Sequence, residues 1–138
     1  MIDMSEYKGK VAVITGAASG MGLCMARKIV EAGGAAVMCD VNADVLAAVA
    51  SEINATGPGR AYACVSDVRK FSDAEKASQL AIEKEGRIDL LVTFAGGYEP
   101  RMCNSMMPFY EQPIEVIDWG IDVNLKGTIS ITEHYGIQ

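Results

Sequence analysis

The chain has 138 residues, 50% hydrophobic and 22% charged, with a net charge of −6. This is globular composition rather than disorder, and the acidity argues against a nucleic-acid partner. No apolar run approaches the ~20 residues that span a bilayer, so no membrane role is expected.

The size predicts one domain over residues 1–138. Met1 to Lys10 is polar and contains Asp3 and Glu6, unlike a signal peptide. Cys24, Cys39, Cys64 and Cys103 are dispersed, and His134 is the sole histidine. No metal site is expected, and the thiols read as reduced in a cytoplasmic protein.

In chain order, Val11–Ile14 is a short apolar run that stops at Thr15-Gly16, a buried-strand pattern. From Met21 to Ala32, residues Ala26, Ile29 and Val30 share one helical face, and Gly33-Gly34 ends it. Ala35–Cys39 is a second strand, ending at Asp40. Asn42 can cap a helix whose face carries Leu46, Val49 and Ile53, with Gly57-Pro58-Gly59 as its stop. Ala61–Val65 is a third strand. Ser72-Asp73-Ala74-Glu75 reads as a capping box for a helix to about Glu85. Leu90–Thr93 is a fourth strand, before Ala95-Gly96-Gly97. A stretch with three prolines follows, and then Ile117, Ile121, Leu125 and Ile129 recur every four residues, predicting the core face of a last helix.

Continuous apolar strands alternating with amphipathic helices predict an α/β fold: a Rossmann-type, doubly wound parallel sheet of about four strands. Ligands of such sheets lie beyond the carboxyl ends of the strands. The first strand end reads Thr15-Gly16-Ala17-Ala18-Ser19-Gly20-Met21-Gly22. Its glycines allow a sharp turn and close approach of backbone to an anion, and the helix that opens there aims free N–H groups and its positive dipole end at that anion. No Gly-Lys-Ser/Thr follows, so this is not a P-loop. Asp40 lies 18 residues after Gly22. Its carboxylate suits the adenosine ribose hydroxyls and opposes a 2′-phosphate: two like charges ~4 Å apart cost about 4 kcal/mol at an effective dielectric near 20. No Arg or Lys stands in the glycine loop or just after Asp40-Val41 to offset this, which predicts NAD(H) as cofactor.

With these motifs in this order, the sequence from about Tyr7 to Thr128 resembles the cofactor-binding half of the short-chain dehydrogenases/reductases. The resemblance implies dinucleotide contacts at Thr15, Gly16, Ser19, Gly20, Met21, Gly22, Asp40 and Val41. It also implies adenine contacts at Asp67-Val68, and a nicotinamide-ribose passage at Ala95-Gly96. Thr93-Phe94 stands where the family carries Asn-Asn, and Phe94 is expected in the core. Asn124, within Val123-Asn124-Leu125-Lys126-Gly127-Thr128, matches the family's catalytic asparagine, which holds a water of the proton relay.

The family moves a hydride between an alcohol and a ketone, using a Ser and a Tyr-x-x-x-Lys downstream of that asparagine. No Tyr-x-x-x-Lys occurs before Gln138, and the family places its serine well downstream of the asparagine, beyond that residue. The expectation is therefore a chain without its catalytic C-terminal half, truncated after about four strands and inactive by itself. Its partners would be NAD(H), an alcohol or ketone substrate in the complete family, and a second copy of itself over the fourth-strand edge or the last helix. The alternatives are a non-catalytic dinucleotide-binding or interaction module, and a structural remnant stable only when paired. Thr128–Thr132 has the β-branched composition for a makeshift extra strand. A Ser-His-Asp hydrolase is disfavoured because no Gly-x-Ser-x-Gly occurs, and His134 reads as a surface residue. The loop with Met102, Met106, Met107, Phe109 and Tyr110 reads equally as a mobile apolar wall of a substrate cleft or as a loop folded back on the core.

Overall fold

Strand β1 (Val11–Thr15) is buried along its whole length, because it pairs in parallel with β2 (Ala35–Asp40) on one side and β4 (Leu90–Thr93) on the other. Strand β3 (Arg60–Val65) extends the sheet beyond β2, giving the order β3-β2-β1-β4, all parallel. The computed structural model describes residues 3–136.

Side chains alternate across each strand, so the sheet builds two cores. Ala12, Ile14, Ala36 and Met38 face α1 (Gly20–Glu31) and α2 (Ala43–Thr56), which supply Ala26, Ile29, Val30, Leu46, Ala50 and Ile53. Val11, Val13, Val37 and Cys39 face α3 (Phe71–Glu85), which supplies Ala77 and Ala81. Both faces are covered, which is why these strands read as unbroken apolar runs. Asn42 caps α2 as expected, its Oδ1 accepting the Val45 N–H at 3.2 Å.

Ser72 and Glu75 do not form the expected box. Helix α3 starts two residues earlier, with Lys70 at its N-cap and without a side-chain cap. The Asp73 carboxylate of its first turn instead accepts the Asp67 N–H at 3.0 Å, which ties the helix to the turn after β3.

After β4, the loop holds a short helix α4 (Glu99–Met102) and a single 3-10 turn (Phe109–Glu111). Helix α5 (Ile114–Gly120) continues through a π-helical segment (Ile121–Gly127) into α6 (Thr128–Gly136). The tail is thus helical, and no makeshift strand forms there. The buried face of this rod is not the expected one. Val116, Gly120, Val123, Gly127 and Ile131 face inward, whereas Ile121, Leu125 and Ile129 are exposed and Ile117 is half-buried. Glycine explains the rotation. A Cβ on Gly120 would lie 2.7 Å from Glu99 Cδ, and one on Gly127 would lie 2.6 Å from Val68 Cγ2. The closest approach therefore uses residues without side chains, and a count of large apolar residues cannot register them.

His134 also departs from expectation. Its Nε2 lies 3.0 Å from Ser78 Oγ, and its ring meets Phe71 edge-on. The Ser78 hydroxyl donates to the Glu75 carbonyl, so it accepts from His134. Beside it, the Tyr135 hydroxyl donates to the Ala74 carbonyl at 3.2 Å, and burial pushes that phenol well above its ordinary value. These contacts lock α6 onto α3. No helix among the described residues is long and apolar enough to cross a membrane.

Candidate functional site

The carboxyl ends of the four strands open into one cleft of about 610 Å³, within the usual range for small-molecule and cofactor sites. It is bordered by Gly16, Ser19, Gly20, Met21 and Gly22 from the first turn, and by Asp40 and Val41 from the second. Asp67 and Val68 border it from the third, and Ala95 and Gly96 from the fourth. Eleven of the thirteen expected site residues are thus brought together by one sheet edge.

The glycine loop has its shape for backbone reasons. Gly16 and Gly20 have φ of 66° and 56°, in the left-handed region. A Cβ on Gly16 would lie 2.7 Å from the Phe94 carbonyl carbon, and one on Gly22 would lie 2.7 Å from the carbonyl carbon of Gly16 itself. The turn is therefore compressed between β4 and the first turn of α1. Ser19 stands at the N-cap of α1 without a side-chain capping bond, which leaves the first amides of the helix without a side-chain partner there.

The second strand end holds this loop in place. The Cys39 carbonyl accepts the Ala17 N–H, and Asp40 Oδ2 accepts the Ala18 N–H, both at 3.1 Å. Asp40 Oδ1 accepts from Asn42 N at 3.0 Å. One carboxylate thus links the end of β2 to both the glycine loop and the start of α2.

Asp67 is differently placed from a free adenine acceptor. Arg69 grips it with Nε at 2.9 and 3.1 Å from its two oxygens and with a terminal guanidinium nitrogen at 2.7 Å. The Arg69 backbone N–H adds a bond of 3.0 Å. The guanidinium beside it holds the Asp67 carboxyl below the usual carboxylate range. Next to it, the Ser66 Oγ is buried, lines the cleft and has no hydrogen-bond partner among the described residues.

Two expected site residues act from behind the cleft. Thr15 is buried, and its Oγ1 accepts the Ala95 N–H at 3.2 Å, joining the ends of β1 and β4. Asn124 brackets Gly97: its Oδ1 accepts the Gly97 N–H at 2.9 Å and its Nδ2 donates to the Gly97 carbonyl at 3.0 Å. It sits in the π-helical segment, a distortion found often at functional sites.

Other residues were not anticipated at the site. Phe94, expected in the core, is 38% exposed and lines the cleft with Met102, Trp119 and Val123. Its backbone carbonyl packs on Gly16, so β4 ends there and the side chain turns outward. Of the loop's apolar residues, only Met102 borders the cleft. Met106, Met107, Phe109 and Tyr110 are exposed and do not fold back onto the core. Arg69 could have been suspected from its cation two residues after Asp67. Cys39 and Ser66 carry no signal in the sequence, because only the sheet register brings them to the rim.

Comparison with known proteins matches residues 10–135 to the family model for the short chain dehydrogenase. The 2-dehydro-3-deoxy-L-rhamnonate dehydrogenase (NAD(+)) of a Sphingomonas species is 36% identical over 122 residues, covering 88% of this chain and 45% of that one. The 7alpha-hydroxysteroid dehydrogenase of Escherichia coli is 36% identical over 114 residues, covering 83% and 44%. Among solved structures, a short chain dehydrogenase from Mycobacterium smegmatis superimposes with a TM-score of 0.82 at 28% identity, covering 94% of this chain and 51% of that one. A 7alpha-hydroxysteroid dehydrogenase complexed with NADH and 7-oxo glycochenodeoxycholic acid gives 0.79 at 30% identity, covering 96% and 50%. The chain spans about half the length of the relatives it matches.

Proposed function

The chain belongs to the short-chain dehydrogenase family, and on that premise we propose that its cleft binds NAD(H) for hydride transfer between an alcohol and a ketone. The observation that carries the cofactor choice is Asp40, a carboxylate at the cleft rim fixed by the Ala18 amide. It suits two ribose hydroxyls and repels a 2′-phosphate. Arg69 is the cation that borders the cleft, and its charge is already paired with Asp67.

The residues present fit a dinucleotide. The amides opening α1 at Gly20, Met21 and Gly22 suit a pyrophosphate. The unpartnered Ser66 hydroxyl beside Asp67 and Val68 suits a polar edge of adenine, since a buried hydroxyl needs a partner. Ala95 and Gly96 leave room for the nicotinamide ribose, with Thr15 fixing the Ala95 amide and Asn124 fixing Gly97 behind them. When bound, the nicotinamide supplies or accepts the hydride. This chain's part is to hold it: the loop and Asp40 orient one end, and Ala95, Gly96 and the apolar Phe94 and Trp119 border the other.

The general acid/base is a separate matter. Among the described residues no Tyr or Lys borders the cleft, and Tyr98 and Tyr110 are exposed. These 138 residues therefore bind the cofactor without appreciable turnover. The exposed stripe of Ile114, Ile121, Leu125 and Ile129 is covered by a second copy, since an apolar row of this extent is costly in water.

The test is a paired titration with NADH and NADPH, followed by nicotinamide fluorescence. Tighter binding of NADH supports the reading, and tighter binding of NADPH refutes it.

A further inference from the structure

Cys39 and Cys64 are direct partners in the parallel register of β2 and β3. Register partners on neighbouring strands project to the same face, and both side chains lie in the core beneath α3 with Ala77, Ala81 and Tyr135. Adjacent strands run about 4.8 Å apart, inside the Cα span of about 4.4–6.8 Å that a disulfide bridges. We propose that Cys39 and Cys64 are a thiol pair that closes to a reversible disulfide, and that closure loosens the glycine loop of the cleft.

The two sulfurs are unlike. Cys39 is 1% exposed and lies on an inner strand. Cys64 is 9% exposed and lies on β3, the outer strand of the sheet. The neighbouring sulfur holds the Cys64 thiol below its ordinary value, while the Cys64 sulfur and burial push Cys39 up. Cys64 is thus the attacking thiolate and Cys39 the resolving thiol.

The oxidant is a peroxide. The Cys64 thiolate attacks one peroxide oxygen, the O–O bond breaks, and the departing hydroxide takes a proton as water, leaving a sulfenic acid on Cys64. The Cys39 sulfur then attacks the Cys64 sulfur. The S–S bond forms, the S–O bond breaks, and the leaving hydroxide takes the Cys39 proton as a second water. Two electrons pass from the thiol pair to the peroxide, and an added dithiol returns them.

The link to the cleft is the Cys39 backbone. Its carbonyl accepts the Ala17 N–H, and the next residue, Asp40, accepts the Ala18 N–H, both at 3.1 Å. Bridged cysteines hold their Cβ atoms about 3.8 Å apart with a torsion near ±90°, and the Cys39 backbone that carries the Ala17 acceptor must adjust to meet that geometry. This holds whichever dinucleotide the cleft prefers.

The experiment uses the full chain carrying Cys24→Ser and Cys103→Ser, treated with hydrogen peroxide and followed by intact mass. Amide hydrogen exchange is read at Ala17 and Ala18. The expected result is loss of two hydrogen masses, reversed by dithiothreitol, with exchange at Ala17 about tenfold faster in the oxidised form. Adding Cys39→Ser should instead leave a sulfenic acid that dimedone traps. Peptide mapping of the unsubstituted oxidised chain gives a second readout, a linked pair of peptides containing Cys39 and Cys64. Two free thiols in unfolded protein, at peroxide levels that oxidise exposed Cys24 in the unsubstituted chain, would overturn the pair. A disulfide with unchanged Ala17 exchange would overturn its coupling to the cleft.

Discussion

The Asn124 carboxamide brackets the peptide of Gly97, accepting its N–H at 2.9 Å and donating to its carbonyl at 3.0 Å. One side chain thereby ties the last helical rod to the loop that leaves β4, across 27 residues of sequence. Asn124→Ala removes both bonds, each contributing about 0.5–1.5 kcal/mol net. The expected loss is about 1–3 kcal/mol in urea unfolding. Asn124→Asp should cost more, because it sets a carboxylate against the Gly97 carbonyl and Glu99 Oε1, which lies 3.4 Å from Nδ2. Equal midpoints for the two variants would contradict the bracket.

Asp40→Ala should narrow the gap between NADH and NADPH by removing the charge that opposes a 2′-phosphate. It should also weaken binding of both, since the Ala18 and Asn42 amides lose their acceptor. Calorimetric titration of both cofactors against both proteins separates these effects. An unchanged ratio of affinities would mean that Asp40 does not discriminate.

Gly22→Ala should destabilise the chain by about 2–3 kcal/mol and abolish dinucleotide binding. The new Cβ would press on the backbone of Gly16, which is held against Phe94 and cannot retreat. Gly20→Ala meets no atom within 4 Å but keeps φ at 56°, so it should cost only about 1–2 kcal/mol. Thermal melts of the two variants should rank in that order.

Three carboxylates set the acid limit of stability. The Arg69 guanidinium holds Asp67 low, and Lys76 together with the Asp67 amide holds Asp73 low. At Asp89 burial pushes upward, but Arg87, the Val11 amide and Lys10 together bring it below the ordinary value. A lowered folded value means that the stabilisation is complete above the unfolded value of about 3.9 and is lost as pH falls through the folded values. Urea midpoints should be flat across this titration at pH 5–7 and fall below about pH 4. Arg69→Ala should make the fall shallower, and a parallel profile would remove Asp67 from the account.

Leu125→Glu and Ile129→Glu place charges on the outward stripe of the rod. Sedimentation at micromolar concentration should show an oligomer for the parent and smaller species for the variants. A cooperative, well-folded monomeric parent would sink the proposed self-association.

Much of this protein could be read locally. The four strands, the glycine loop and the carboxylate at position 40 are legible because a buried parallel strand, a positive-φ turn and a strand-end acid each declare themselves within a few neighbouring residues. The caps were half legible. Asn42 competes only for the amide three residues on, whereas Asp73 is drawn away by the distant turn at Asp67. Tertiary structure alone decided the remainder. It turned the last helix so that Gly120 and Gly127, rather than Leu125, meet the body of the fold. It seated His134 on Ser78 and set Cys39 beside Cys64. The physical reason is common to all of these. Close approach and pairing depend on where two separated segments meet in space, and hydrophobic periodicity along one segment reports only that a face is apolar, not what lies opposite it.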